Sequence, residues 1–142
     1  MQVTVLDSCP MTEKARRSVC PVACTLDIIG DKWSMIVIRD LLLGATRFDD
    51  FLHSPEHIAT NVLTSRLRQL EAEGLVTKAA YQQHPIRWQY NLTPKGQQLA
   101  PIMKAMVEWA RAWHSEVIRA PLPDDAIDAF VSRLTSKKTG KV

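Results

Sequence analysis

Two sets of residues in this sequence have the types and spacing to do chemistry. The first is a polar stripe, Asn61, Ser65, Arg68 and Gln69 with Thr64 on its flank, in a segment where Leu63, Leu67 and Leu70 recur at spacings of four and three. At about 100° per residue the leucines share one helix face and the stripe lies opposite or on its flank. An Arg guanidinium can bind guanine through two hydrogen bonds and an Asn amide can pair with adenine, so these residue types can read base edges. Thr60 and Arg66, and further on Lys78, His84 and Arg87, are types that hold phosphates. The bland alternative is an ordinary solvated helix face. The second set is a thiol. Cys20 precedes Pro21 at the start of an expected helix, where the helix dipole favours thiolate. Its bland alternative is a small apolar core residue. Cys24, one turn on, reads as core, and Cys9 could serve as a partner thiol.

The elements that must position these groups can be read around them. Gly74 suits the left-handed cap of the stripe-bearing helix. Leu75–Tyr81 and Ile86–Leu92 read as two strands around a Gln-Gln-His-Pro tip. Upstream, Pro21–Ile29 is expected to be a helix stopped at Gly30, with Val22, Leu26 and Ile29 on its apolar face. Asp31 is placed to cap a second helix, Lys32–Leu43, that is apolar on most sides. Thr46 is expected to cap a short third helix running to His53. Three helices with a tight turn before the last, followed by a β-ribbon, make a winged helix-turn-helix.

Downstream, Thr93-Pro94 is expected to open the longest helix, ending near Arg119. Leu99, Ile102, Met106, Trp109 and Trp113 form a heptad-like seam on it, widened by Met103, Val107 and Ala110. Such a stripe implies a homodimer interface, shared with Pro21–Ile29; the alternative is a helix folded back on its own domain. The expected fold class is mainly α with a small β-wing, a winged helix-turn-helix with N- and C-terminal dimerisation helices. The expected organisation is a flexible N-terminal arm over 1–18, the winged domain with its dimerisation helices over 19–120, and a C-terminal helix and polar tail over 121–142.

The 142 residues suffice for one domain with a core. Charged residues make up 23% and apolar residues 46%, as in globular chains. No apolar run approaches a membrane span, and the N-terminus lacks the order of a signal peptide, so a cytoplasmic location is expected. Five basic residues and two acidic ones lie between Ala59 and Lys95, a basic centre suited to a polyanion such as double-stranded DNA. Three cysteines make no disulfide framework and no C-x-x-C occurs. That argues against a thiol oxidoreductase, and the absence of a Gly-rich phosphate loop argues against nucleotide chemistry. His53 and His57 flank Pro55 with no obvious further ligand, so no metal, cofactor or catalytic residue is expected. A winged helix used only for protein contacts is the other alternative.

Several short motifs carry a resemblance. They are Cys20-Pro21-Val22, the run Thr25-Leu26-Asp27-Ile28-Ile29-Gly30-Asp31-Lys32-Trp33, and Arg47-Phe48. Leu67-Arg68-Gln69-Leu70-Glu71 with Gly74-Leu75-Val76 follows, then Tyr90-Asn91-Leu92-Thr93-Pro94-Lys95-Gly96. In this order and spacing they resemble the HxlR family of bacterial, MarR-like transcription regulators. The resemblance implies a homodimer that binds a pseudo-palindromic operator and controls transcription. It also implies redox or electrophile sensing through Cys20, as several members use a cysteine in this region. A small-molecule effector lodged among Trp33, Trp109 and Trp113 is the alternative source of control, set against the bland reading of these tryptophans as plain core. The sequence departs from the family at three points. Gly30-Asp31 stands for Gly-Gly. Ala59-Thr60 stands for Ser-Pro, so Thr60 is expected to cap the stripe-bearing helix one residue late. Trp88 stands for a smaller residue.

Overall fold

The apolar periodicities translate into six helices and one ribbon among the described residues, which are 17–116, 118, 128, 129 and 132 of a computed structural model. In chain order they are α1 (Pro21–Ile29), α2 (Ser34–Leu42), α3 (Phe48–Leu52), α4 (Thr60–Ala72), β1 (Val76–Gln83), β2 (Ile86–Leu92), α5 (Pro94–Gln97) and α6 (Ala100–His114). The arm expected over 1–18 and the helix and tail expected over 121–142 fall almost wholly outside the described residues. Asp128 is described, and its carboxylate meets Lys104 Nζ at 3.0 Å.

The core is built where α2, α3, α4 and the ribbon converge. Val37 and Ile38 of α2, Phe51 of α3, Leu63, Leu67 and Leu70 of α4 and Val76 of β1 are all buried. The leucine face read from spacing is thus the buried face of α4. Tyr90 packs edge-on against Phe51 at 6.3 Å and anchors the ribbon to the core. β1 and β2 are antiparallel, with Val76 opposite Leu92 and Ala80 opposite Trp88. The register then shifts between Ala80 and Gln82, leaving Tyr81 as the extra residue of a bulge.

Capping accounts for the boundaries. Asp31 accepts from the backbone N–H of Trp33 and of Ser34, each at 2.9 Å, and from the Ser34 hydroxyl. It caps α2 as expected, but the helix begins at Ser34 rather than Lys32. Thr46 does not cap α3. The Asp50 carboxylate does so from inside the first turn, accepting from the N–H of Thr46 (3.0 Å) and Arg47 (2.9 Å); those bonds hold its carboxyl below the usual range. Thr60 does not cap α4 either. Ala59 is the N-cap residue and α4 has no side-chain cap. Gly74 has φ +73°, the left-handed conformation a helix end requires.

The single helix expected from Thr93 is two. Thr93 caps α5, its hydroxyl oxygen accepting from the Gly96 N–H at 3.1 Å. Gly96 lies against the Leu75 carbonyl, where a Cβ would collide. α5 ends at Gln97 because Pro101 has no N–H and its ring would collide with the carbonyl four residues back. Pro101 is tolerated in the first turn of α6.

The turn between α3 and α4 is held by charge. The Arg39 guanidinium, on α2, donates to both oxygens of Glu56 at 2.6 and 2.8 Å, to Asp40 and to Ser54 Oγ at 2.7 Å. Ser54 donates to Glu56 at 2.7 Å. Arg39 therefore pulls the Glu56 carboxyl down to about 2. Below its unfolded value of 4.5, a free Glu takes up a proton that folded Glu56 resists. The Glu56 contribution to stability is therefore complete above pH 4.5 and is lost as pH falls toward 2. Asp40, raised by burial, acts in the opposite sense. Comparing the protein with Glu56→Gln isolates Glu56. The difference in melting temperature between the two is expected to shrink as pH drops from 5 to 2.5; a pH-independent difference would exclude this account.

Candidate nucleic-acid interface and thiol site

Burying Leu63, Leu67 and Leu70 rotates the polar stripe outward. Asn61, Ser65 and Arg68 are exposed on α4, as is Thr60 at its first turn. Thr64 is half-buried, and its hydroxyl donates to the Thr60 carbonyl at 2.9 Å. Arg66 is different. It is half-buried on the flank, its Nη1 lies 2.7 Å from Gln69 Oε1 and 3.5 Å from Asp31 Oδ1. A phosphate contact from Arg66 would have to compete with these partners.

The ribbon carries the other basic groups. Lys78, His84 and Arg87 are all exposed, His84 at the tip. The Lys78 ammonium lies 4.6 Å from the centre of the Trp88 ring. This gives Trp88 a role: its face holds the lysine stem against the ribbon and fixes where the charge points.

Spacing alone did not reveal Arg47. It forms a β-bridge with Gln89, and the neighbouring Thr46 carbonyl accepts from the Tyr90 N–H at 2.6 Å. The bulge turns Tyr81 toward this edge, and the Arg47 guanidinium stacks 4.2 Å from its ring centre. Arg39 was missed as well. The available signal was a charge inside an otherwise apolar helix, which needs a partner.

A mainly helical domain with a buried-leucine recognition helix and a two-stranded wing is a transcription-factor architecture, and comparison with known proteins decides which. The model of the HxlR-like helix-turn-helix family matches residues 28–118. The chain belongs to this family. HxlR-like proteins regulate transcription rather than catalyse reactions, and this chain is a transcription regulator of that type. Among relatives, the HTH-type transcriptional regulator YybR of Bacillus subtilis strain 168 is 41% identical over 93 residues. The match spans 66% of this chain and 74% of YybR. Among solved structures, the redox regulator HypR in its oxidised form is 41% identical with TM-score 0.60, covering 66% of this chain and 96% of HypR. Its reduced form gives TM-score 0.61. The reduced form of the transcriptional regulator YodB from B. subtilis is 25% identical with TM-score 0.58, covering 71% of this chain and all of that one, 100%.

The thiol sits at the head of α1, ahead of the segment that the family matches. Cys20 is the N-cap residue and is exposed. The backbone N–H of Ala23, and then that of Val22, hold its thiol below the ordinary value. Cys24 is half-buried one turn on, and Cys9 lies outside the described residues. His53 Nδ1 bonds the Asp49 carbonyl at 2.7 Å. Among the described residues no group of three or more His, Cys, Asp or Glu could hold a metal, and no helix is long and apolar enough to cross a membrane.

The expected seam divides into two faces. Leu99 is half-buried and packs on the domain core with Met103 and Val107. Ile102, Met106, Trp109 and Trp113 are exposed, the two tryptophans at 62% and 73%. On α1, Val22 and Leu26 are likewise exposed. Trp33 packs against the core, so the three tryptophans do not line one cavity. An apolar cavity of about 260 Å3 lies instead between α2 and α6, lined by Met35, Ile36, Met103, Met106 and Val107 among others.

Proposed function

We propose that this regulator is a homodimer that binds a pseudo-palindromic operator in double-stranded DNA, with α4 in the major groove. The observation that carries the reading is the exposed stripe of Asn61, Ser65 and Arg68 opposite the buried leucines, followed by a wing bearing Lys78, His84 and Arg87. Asn61, Thr64, Ser65 and Arg68 read base edges. Thr60 lies at the uncapped N-terminus of α4, whose backbone N–H groups attract a phosphate. Lys78, His84 and Arg87 on the wing hold the flanking phosphates, which sets register and salt dependence. Leu99, Ile102, Met106, Trp109 and Trp113, with the α1 face, form the dimer interface; Leu99 supports it from the core side.

Cys20 is the oxidant- or electrophile-sensing residue in this reading. Its exposure and lowered thiol pKa favour thiolate, the reactive form. HypR, 41% identical to this chain and matching 66% of it, is a redox regulator. Modification or bridging of Cys20 at the head of a dimerisation helix would alter the spacing of the two recognition helices.

The test is binding to DNA from upstream of the coding region across a salt series, reduced and then diamide-treated. The expected result is tight, salt-dependent binding that diamide weakens in the wild type but not in Cys20→Ser. A Cys20→Ser protein that keeps the wild-type response would exclude Cys20. Binding indifferent to diamide would move the effector to a small apolar molecule, for which the α2–α6 cavity offers room. No binding even at low salt would refute the proposal.

A further inference from the structure

Asp31 occupies the turn between α1 and α2 and does two things at once. One carboxylate oxygen accepts from the backbone N–H of Trp33 and Ser34, fixing it to the start of α2. The other faces Arg66 Nη1 of α4 at 3.5 Å. Gln69 holds the same Arg66 nitrogen from the following turn. Arg66 thus lies on the flank of α4 with its guanidinium directed at the α1–α2 turn. α1 begins just after its N-cap residue Cys20 and exposes Val22 and Leu26. The helix that follows the thiol and carries part of the apolar dimer face therefore ends two residues before the group that grips the recognition helix.

We propose that the Asp31–Arg66 pair is a positioning contact that sets the angle of α4 relative to α1. It thereby determines which half-site spacing the dimer accepts. The inference rests on the operator-binding reading above and assigns Arg66 a role through Asp31 in place of a direct phosphate contact. A half-exposed ion pair contributes little to stability. Its effect should appear in geometry. Inserting one base pair between half-sites moves them apart by about 3.4 Å and turns one relative to the other by about 35°. A dimer with two rigidly held α4 helices rejects that change, and a loosely held pair tolerates it.

The probe is the duplex that the wild-type protein enriches from a random-sequence library, together with versions carrying one base pair more or fewer at the centre. Asp31→Asn keeps a side chain that caps α2 and removes the charge facing Arg66; Arg66→Ala removes the other partner. Both variants are expected to reduce discrimination against altered spacing by roughly three- to tenfold, the coupling of one such contact. Arg66→Lys is expected to restore it. The salt dependence of binding should be unchanged in all three. If Arg66→Ala instead lowers the salt slope by about two, one for each protomer, and keeps the spacing preference while Asp31→Asn binds more tightly, Arg66 is a phosphate contact and the inference is wrong. Equal weakening at every spacing, accompanied by lower melting temperatures, would make the pair merely structural and also overturn it. Enrichment of no sequence by the wild type would refute operator binding itself, and this inference with it. A selected site whose spacing preference survives both variants would refute the inference alone.

Discussion

Replacing Trp109 by Glu is expected to leave a folded monomer and to weaken binding to a two-half-site operator by about a hundredfold or more, the loss of linking two modules. Trp109 is 62% exposed in the protomer, so little packing within the domain depends on it. Its neighbours on the same face, Ile102, Met106 and Trp113, are exposed as well. Covering a Trp ring to that extent contributes about 2–4 kcal/mol at roughly 25 cal/mol per Å2. In a twofold interface the gain occurs twice. Glu forfeits it and places two unpaired carboxylates in an apolar contact, which is worse than simple truncation.

Sedimentation equilibrium should report a monomer, and circular dichroism an unchanged helix content. Affinity for a single isolated half-site should stay near wild type, because α4 and the wing are untouched. A Trp109→Glu protein that remains dimeric and binds the full operator normally would remove this face from the interface. The same experiment bears on the division of α6. Met103→Glu, on the inward face, is expected to lower the melting temperature instead, since Met103 is buried in the domain core.

The division of α6 also illustrates what the sequence carries and what it hides. Leu63, Leu67 and Leu70 needed only helical period and one buried side to be read correctly, and the polar stripe followed. Pro21–Ile29 was legible because Pro and Gly mark both ends; Ile86–Leu92 because Ile86, Trp88, Tyr90 and Leu92 recur at every second position. On α6 the apolar stripe is too wide for one neighbour, and periodicity cannot say which part faces inward. The α5–α6 break was written in Pro101, but the continuous heptad spacing across it concealed the signal. Arg39, Arg47 and Arg66 were harder. Each takes its partner from a different element, at Glu56, Tyr81 and Asp31, and such pairings depend on chain crossings that local pattern does not encode. The capping of α3 belongs to the same class of difficulty. Thr46 and Asp50 both have the chemistry, and only the backbone geometry selects Asp50.

Arg68→Ala is the substitution expected to cost most in recognition while costing least in stability. Arg68 is exposed on α4, one residue past buried Leu67, and stands clear of the leucine face. A guanidinium that reads guanine through two hydrogen bonds is worth roughly 1–3 kcal/mol of discrimination, and a symmetric dimer makes the contact twice. The operator should therefore lose about 2–6 kcal/mol of its advantage over a sequence altered at those two positions. Binding to random DNA should fall far less, since only general charge attraction is lost there. The measurement is affinity for the selected operator, for the same duplex altered at each candidate guanine, and for random DNA, at one fixed salt concentration. A base reader gives a variant that is weaker on the operator and indifferent to one base pair per half-site. A phosphate contact gives uniform weakening across all three duplexes and a shallower salt slope. Unchanged affinity and unchanged sequence preference would take Arg68 out of the reading set and shift the assignment toward Asn61 and Ser65, which share its face.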